Sequence, residues 1–346
     1  MKENIKEDKI FIPKSVVLEL TYRCNHKCLF CFCPWEATEE DAPKYDKGRE
    51  MEFEQWKRTL DILHKLGVEN VSISGGEALL KDCLLDLLAY IREKNVFNVN
   101  NPIVLISNGL LMNEEFLQAF KKYNIHLSMS LPGLDTFEKH TGVDNAAGVL
   151  YWFQRAKEAG IETTVNITVT DINYYELYET IANGLIAGAD TLLLNRFLLG
   201  GRGLTYKKEL SLNKEQLNGM LETAENVLVL SKRIGSVGTE YPLCIIKDRE
   251  KYKQLRIGSL CSAAKDFFVI DPSGFVRACN HSPHKVGYIF DKEIITDTDY
   301  WQKFNTRAYI PHDCIMCKDV NYCDCGCRET ASIVYGDLKA KDPCLM

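Results

Sequence analysis

The chain has 346 residues, 46% of them hydrophobic and 26% charged, with a formal net charge of −6 and a pI near 5.8. That length buries a full core, with room for one large domain and a smaller one, and an acidic chain lacks the basic face that nucleic-acid binding needs. No run of about 18 apolar residues exists to span a membrane, and the charged stretch Met1 to Lys9 has no apolar segment of a secretory signal.

The first element is Val16-Val17-Leu18-Glu19-Leu20, an apolar run short enough to be a buried strand. Directly after it, Thr21 to Cys31 carries three cysteines, Cys24-x3-Cys28-x2-Cys31. Thiolates select iron–sulfur clusters, which usually take four of them. Three in one tight loop leave a fourth iron open to a small molecule. A short zinc loop is the alternative, although zinc ligands normally come as paired C-x2-C units. Residues 38–50 are polar, with Pro43 and Gly48, and read equally as a loop that orders over a substrate or as a solvated connector.

From residue 15 to about 200, short β-rich runs alternate with longer helical patterns. Strands are predicted over 15–20, 70–74, 102–107, 125–130, 162–169 and 190–197, and helices over 52–66, 79–94, 113–122, 145–159 and 174–187. That rhythm implies right-handed βαβ units and a parallel sheet, in which ligands gather at the C-terminal strand ends. The notable residues fall there. The cysteine triplet follows the first strand, Ser74-Gly75-Gly76-Glu77 the second, Ser107-Asn108-Gly109 the third and Ser130-Leu131-Pro132-Gly133 the fourth. Asn166 lies within the fifth, and Arg196 ends the sixth.

The triplet, with the aromatic Phe30 before its last cysteine, resembles the signature of the radical S-adenosylmethionine (SAM) family. The resemblance implies a partial (β/α)6 TIM-like barrel over residues 1–203, with a [4Fe–4S] cluster on Cys24, Cys28 and Cys31 whose open iron chelates SAM. Gly75-Gly76-Glu77 matches the family's GGE motif, which contacts the methionyl amino group; glycines there let backbone approach the ligand. By the same match Ser107, Asn108, Ser130 and Asn166 are expected SAM contacts, with the backbone of Phe30 at the adenine. Ser107 and Ser130 are equally placed to cap the helices that follow. Gly200-Gly201-Arg202-Gly203 resembles a loop of members that carry a C-terminal cluster domain. Residues 204–243 then read as a bridge, with a helix running to about Arg233 on an apolar face of Leu212, Leu217, Leu221, Val227, Leu228 and Leu230.

Fourteen cysteines without a secretory signal read as metal ligands in a reducing, cytoplasmic compartment rather than as disulfides. The pattern Cys261-x12-Gly274-x4-Cys279, Cys314-x2-Cys317-x5-Cys323-x3-Cys327 and Cys344 resembles the SPASM domain, here residues 244–346. From the residues alone, two zinc knuckles are the alternative. The resemblance implies one auxiliary [4Fe–4S] cluster on Cys261, Cys279 and Cys327 and another on Cys314, Cys317, Cys323 and Cys344, three clusters in all. Cys244 is the candidate fourth ligand of the first auxiliary cluster. Cys33 and Cys325 stay unassigned, as hydrogen donors to a substrate radical or inert thiols, and Cys83 reads as core. Asp271-Pro272-Ser273-Gly274 reads as a turn between strands at 266–270 and 275–278. Sulfatase maturases of the family carry a catalytic Asp after the corresponding cysteine. Here Asn280 stands there, which accepts no proton at neutral pH, and His281 and His284 read as surface-loop histidines.

The resemblance implies reductive cleavage of SAM and hydrogen abstraction from a ribosomally made precursor peptide, installing a cross-link, epimer or oxidation. No catalytic side chain is singled out. The expected partners are the peptide and an electron donor such as flavodoxin or ferredoxin. Because the first strand begins at residue 15, no leader-binding domain is expected before it, so a separate leader-recognition protein or direct docking is expected to serve. A small-molecule radical SAM enzyme, of the haem-pathway or sugar-dehydrogenase type, and a non-enzymatic Fe–S carrier are the alternatives. No nucleic-acid or membrane partner is expected.

Overall fold

The computed structural model describes residues 10–38, 40 and 44–345. Six βα repeats open the chain: β1 (Ser15–Glu19), α1 (Phe53–Lys65), β2 (Asn70–Ser74), α2 (Leu84–Glu93), β3 (Ile103–Ser107), α3 (Glu114–Lys122), β4 (Ile125–Ser130), α4 (Phe137–Thr141), α5 (Ala146–Ala159), β5 (Thr163–Val169), α6 (Leu177–Ala187) and β6 (Thr191–Arg196). The short α7 (Lys207–Leu210) and long α8 (Lys214–Ser231) lead to β7 (Ile234–Val237) and β8 (Leu255–Ile257). The remainder holds β9 (Phe267–Ile270), β10 (Phe275–Arg277), β11 (Lys285–Tyr288), α9 (Thr298–Asn305) and α10 (Arg328–Tyr335).

Among the described residues these strands form one open sheet in the order β11-β10-β9-β1-β2-β3-β4-β5-β6-β7-β8. β1 to β8 pair in sequence order and in parallel, the arrangement of a partial βα barrel. The six strands and five helices expected from sequence are present with ends shifted by a few residues. The largest shift is at 79–94, where Glu77 caps a separate single turn, Ala78–Leu80, before α2 begins at Leu84. β7 and β8 were not expected; at four and three residues they are too short for periodicity to register. On the other edge β9 pairs in parallel with β1, so chain beyond residue 244 extends the barrel sheet directly. β10 turns back antiparallel around Asp271, whose carboxylate accepts the Ser273 and Phe275 amides at 2.9 Å.

Alternation along the strands sorts side chains between core and site. On β5, Val165, Ile167 and Val169 are buried beneath the helices, while Asn166 and Thr168 face the barrel mouth. The helices bury matching stripes. On α1, Trp56, Leu60 and Leu63 recur at helical spacing, and Glu52 with Gln55 closes a capping box. On α8, Leu217, Leu221, Ala224 and Leu228 face inward behind a second capping box, Asn213 with Gln216. Two buried ion pairs tie the chain's end to the barrel: Arg277 with Glu19 of β1, and Arg196 of β6 with Asp342 at 2.5 Å. Among the described residues no helix is long and apolar enough to cross a membrane.

Candidate active site

A cavity of about 750 Å³ opens at the C-terminal strand ends. Its wall carries Cys24, Cys28 and Cys31, then Phe30, Gly75, Gly76, Glu77, Ser107, Asn108, Ser130 and Asn166. Cys261, Cys279 and Cys327 line the same space.

The triplet loop is held from both sides. Its Lys27 and Leu29 amides donate to Thr141 and His140 carbonyls at the end of α4, each at 2.8 Å. From the other side Arg202 donates to the Cys28 carbonyl at 3.1 Å and pairs with Glu36, while the Gly203 amide donates to the Cys31 carbonyl at 3.1 Å. Gly201 has φ +49°, and a Cβ on it would lie 2.6 Å from the Cys31 oxygen. The Gly200–Gly203 loop is therefore the floor of the cysteine loop. Burial pushes the Cys24 thiol up to about 11 and also raises Cys28 well above the usual value, whereas a hydrogen bond with Cys33 lowers Cys31. Cys33 thus serves its neighbour's thiol. Cationic Arg202 favours the thiolate form at both Cys28 and Cys31, which suits metal ligation.

The glycines after β2 meet protein backbone. The Gly76 amide donates to the Thr21 carbonyl at 2.7 Å and the Glu77 amide to the Arg23 carbonyl at 2.8 Å, prolonging the β1–β2 ladder into the cysteine loop. A Cβ on Gly76 would lie 2.6 Å from the Arg23 carbonyl carbon and 2.9 Å from the Tyr22 oxygen. The Glu77 carboxylate is buried and accepts from Leu79 N (3.0 Å), Ser107 Oγ (2.9 Å) and Asn108 N (2.7 Å). Burial raises its pKa against these three bonds. Ser107 is held by Glu77, while Asn108 Nδ2 reaches Asn25 Oδ1 at 2.7 Å and Cys24 Sγ at 3.9 Å. Asn195 donates to Asn166 Oδ1 at 2.8 Å, fixing that amide at the mouth. The Phe30 ring packs edge-on to His140, 5.6 Å between centroids.

The cysteines beyond residue 244 divide into two groups. Burial raises Cys261, Cys279 and Cys327, and they lie close enough that Cys279 and Cys327 raise Cys261 and Cys327 raises Cys279. Cys244 was expected with them and lies elsewhere. Its thiol faces Cys323, Cys314 and Cys317, and Cys344 lies near it. The cause is the single turn Leu243–Ile245, pinned over the second group by a 3.5 Å bond from the Leu243 amide to Cys323 Sγ. Cys325 has φ +63° and contacts the Cys323 carbonyl, inside that second group. Among the described residues no three Cys, His, Asp or Glu side chains close on one ion-sized point. Tetrahedral zinc needs four donors roughly 2.3 Å from such a point.

His281 also departs from expectation: it is buried, with its Nε2 2.9 Å from the Leu199 carbonyl and its Nδ1 3.5 Å from Cys327 Sγ. Asn280 donates to Glu19 at 3.0 Å in the cavity wall, and His284 stacks on Tyr300 away from it. Cys83 is half-buried against the core at the start of α2. Of the 38–50 loop, residues 39 and 41–43 lie outside the described residues. Of the rest, Tyr45 and Glu50 turn inward, Tyr45 edge-on to Tyr22 and Trp35 and Glu50 accepting the Tyr22 amide at 2.8 Å, while residues 44 and 46–49 are exposed. Several wall residues escaped the sequence reading, among them Asn195, Glu329 and Glu240, the last because it follows the unexpected strand β7. Placing Ile234–Val237 as a strand would have put Glu240 on the same rim as the other site residues.

Residues 18–182 match the family model of the Radical SAM superfamily. The chain is 25% identical over 343 residues to the PqqA peptide cyclase of Granulibacter bethesdensis, covering 96% of this chain and 86% of that one. It is also 25% identical over 353 residues to the PqqA peptide cyclase of Rhodopseudomonas palustris, with the same coverage. Streptococcus suis SuiB bound to S-adenosylmethionine superposes with a TM-score of 0.70 at 18% identity, over 95% of this chain and 76% of that one. An anSMEcpe structure with bound AdoMet superposes with a TM-score of 0.71 at 16% identity, over 96% and 90%. At those identities the structural likeness establishes a shared fold.

Proposed function

We propose, for a chain that carries a radical SAM domain over residues 18–182, that it is an enzyme modifying a ribosomally made peptide by hydrogen abstraction. The single observation that carries this reading is the shared cavity, where the three-cysteine loop, the GGE rim and Cys261, Cys279 and Cys327 face one space. The donor chemistry fits the groups implied. Three thiols in one loop, with a cation beside two of them, suit a cluster with one open iron. When bound there, that cluster supplies the reductive cleavage of SAM to methionine and a 5′-deoxyadenosyl radical.

The chain's own part is orientation and exclusion of water. Glu77 holds the Ser107–Asn108 turn by two hydrogen bonds, from Ser107 Oγ and the Asn108 amide, and a third from the Leu79 amide fixes its own carboxylate. Asn108, Ser130 and Asn166, which line the cavity, would present polar groups to the ligand, and the Phe30 backbone would meet its adenine. The two auxiliary groups are read as two further [4Fe–4S] sites, one on Cys261, Cys279 and Cys327 and one on Cys314, Cys317, Cys323 and Cys344. They would relay electrons from a donor such as flavodoxin or ferredoxin. A cytoplasmic setting, and a separate protein that recognises the peptide's leader, complete the proposal.

A peptide substrate is favoured over a small molecule because the curated relatives that span nearly the whole chain are named PqqA peptide cyclase. The test is co-expression with the short reading frames flanking this gene, followed by mass spectrometry of each peptide. A peptide whose mass changes only with intact Cys24, Cys28 and Cys31 is expected. Unchanged peptides, together with SAM cleavage stimulated by a porphyrin or sugar substrate, would favour the small-molecule reading.

A further inference from the structure

We propose that the side-chain oxygen of Asn280 accepts a hydrogen bond from an uncharged N–H or O–H group of the bound peptide, and that the buried Glu19–Arg277 ion pair positions it. The inference rests on the peptide-modifying reading above and deepens it, by naming a substrate contact and the chemistry that contact selects.

Asn280 lines the cavity and is half-buried. Behind it lie Glu19, at the end of β1, and Arg277, at the end of β10, both buried and paired with each other. Arg277 also donates through one nitrogen to the Asn280 carbonyl at 3.1 Å and to the Ser282 carbonyl at 2.8 Å. The free oxygen of the pair, Glu19 Oε1, accepts Asn280 Nδ2 at 3.0 Å. Backbone and side chain of residue 280 are thus tied to one ion pair. A guanidinium keeps its proton, and a buried one needs a counter-charge, so Glu19 is held as an anion that can only accept. The amide nitrogen of Asn280 must therefore face Glu19, and the amide oxygen must turn away from it. Among the described residues no group donates to that oxygen.

The same wall holds a second such oxygen: Glu329 gives Oε1 to the Tyr300 hydroxyl at 2.8 Å, while its buried Oε2 has no hydrogen-bond partner among the described residues. The donors of this wall are already used. Arg328 spends all three of its nitrogens on backbone carbonyls, those of Cys325, Gly326, Leu338 and Ala340. His281 has Nε2 2.9 Å from the Leu199 carbonyl and Nδ1 3.5 Å from Cys327 Sγ. A group arriving here meets acceptors, so one that donates is held, and one that only accepts leaves the Asn280 oxygen desolvated and unpaired. Asn280 is itself neutral and the Glu19 charge is spent on Arg277, so nothing at residue 280 calls for a cation. A peptide supplies an uncharged N–H at every residue except proline. Because an amide oxygen takes no proton at neutral pH, Asn280 orients the substrate and carries no proton away.

The experiment uses the full chain, reconstituted anaerobically, with the flanking-frame peptide whose mass changes on co-expression as the probe. Wild type is compared with Asn280→Leu, which keeps the bulk and removes the oxygen, and with Asn280→Asp, which keeps an oxygen there. In the Asp variant one proton shared with Glu19 replaces the Asn280 N–H. KM and kcat for the peptide are measured beside iron content and the SAM dissociation constant. Asn280→Leu is expected to raise KM about tenfold, the worth of one hydrogen bond, with the loss falling on KM and not on kcat. Iron and SAM affinity are expected to match wild type, which a merely structural defect would lower together with kcat. Asn280→Asp is expected to keep KM nearer to wild type than to Asn280→Leu. Glu19→Gln acts through Asn280, so combined with Asn280→Leu it is expected to raise KM no further. A wild-type KM in Asn280→Leu, or a lost kcat at wild-type KM, would overturn the substrate contact, and additive KM effects would overturn the positioning role of Glu19. A wild-type chain that cleaves SAM and changes no flanking peptide would overturn the peptide reading itself, a distinguishable failure.

Discussion

Replacing Gly76 with Ala tests whether the GGE segment is built around the cysteine loop. The new Cβ would stand 2.6 Å from the Arg23 carbonyl carbon and 2.9 Å from the Tyr22 oxygen. Both are backbone, so no side chain can swing away. The Arg23 carbonyl oxygen lies closer still, and opening that contact to an ordinary 3.4 Å displaces one strand end by roughly 1 Å. That movement stretches the Gly76 N to Thr21 O bond (2.7 Å) and the Glu77 N to Arg23 O bond (2.8 Å) beyond useful length. Two lost hydrogen bonds cost about 1 kcal/mol each, and overpacking adds about 1–3 kcal/mol. The expected destabilisation is therefore about 3–5 kcal/mol, or a fall of about 4–7 °C in the melting midpoint for a chain of this size. Gly67→Ala is the control: its φ is +78°, but a Cβ there meets nothing within 4 Å. It carries only left-handed backbone strain, about 1–2 kcal/mol. Midpoints and iron content of the two variants, prepared in parallel without oxygen, are the readout. A Gly76→Ala protein that melts with the Gly67→Ala control and keeps its iron would refute the close-approach argument.

Glu77→Gln sets an amide NH2 against the Asn108 N–H or Ser107 hydroxyl. Its expected effect is roughly tenfold weaker SAM binding, about 1.4 kcal/mol, with unchanged iron; equal affinity by equilibrium dialysis would return Glu77 to a purely structural role. Acid lability should begin near pH 6.5. Burial lowers His26 and His140 to about 4, so between pH 6.5 and about 4 the unfolded chain binds protons that the native chain refuses, and stability falls as pH falls. The slope from the pair is about 2.7 kcal/mol per pH unit at its steepest; a melting midpoint flat from pH 6.5 to 5 would contradict it.

How far the sequence led depended on the kind of signal each element carries. β1 to β6 were legible because apolar strand runs alternate with amphipathic helices, and the site loops could be read from their place after each strand. Short β7 and β8 gave no such signal, and losing β7 concealed Glu240. The role of Gly75-Gly76 was misjudged in part: the missing Cβ atoms face Thr21 and Arg23, a contact between residues about 50 apart in sequence that no local pattern encodes. Cys244 was assigned by counting thiols. Counting cannot show that the turn after Pro242 points its thiol toward Cys323. His281 looked like a loop residue because Asn280, Ser282 and Pro283 surround it, yet the Gly200 loop closes over its ring.

The most direct test of the central claim is anaerobic SAM cleavage by the reconstituted chain under a strong reductant. The products followed are 5′-deoxyadenosine and methionine, measured beside the chain with Cys24, Cys28 and Cys31 replaced by Ala. The account predicts both products from the intact chain, and from the triple variant neither product, with iron reduced from about 12 to about 8 per chain. Equal 5′-deoxyadenosine from the two proteins would contradict it.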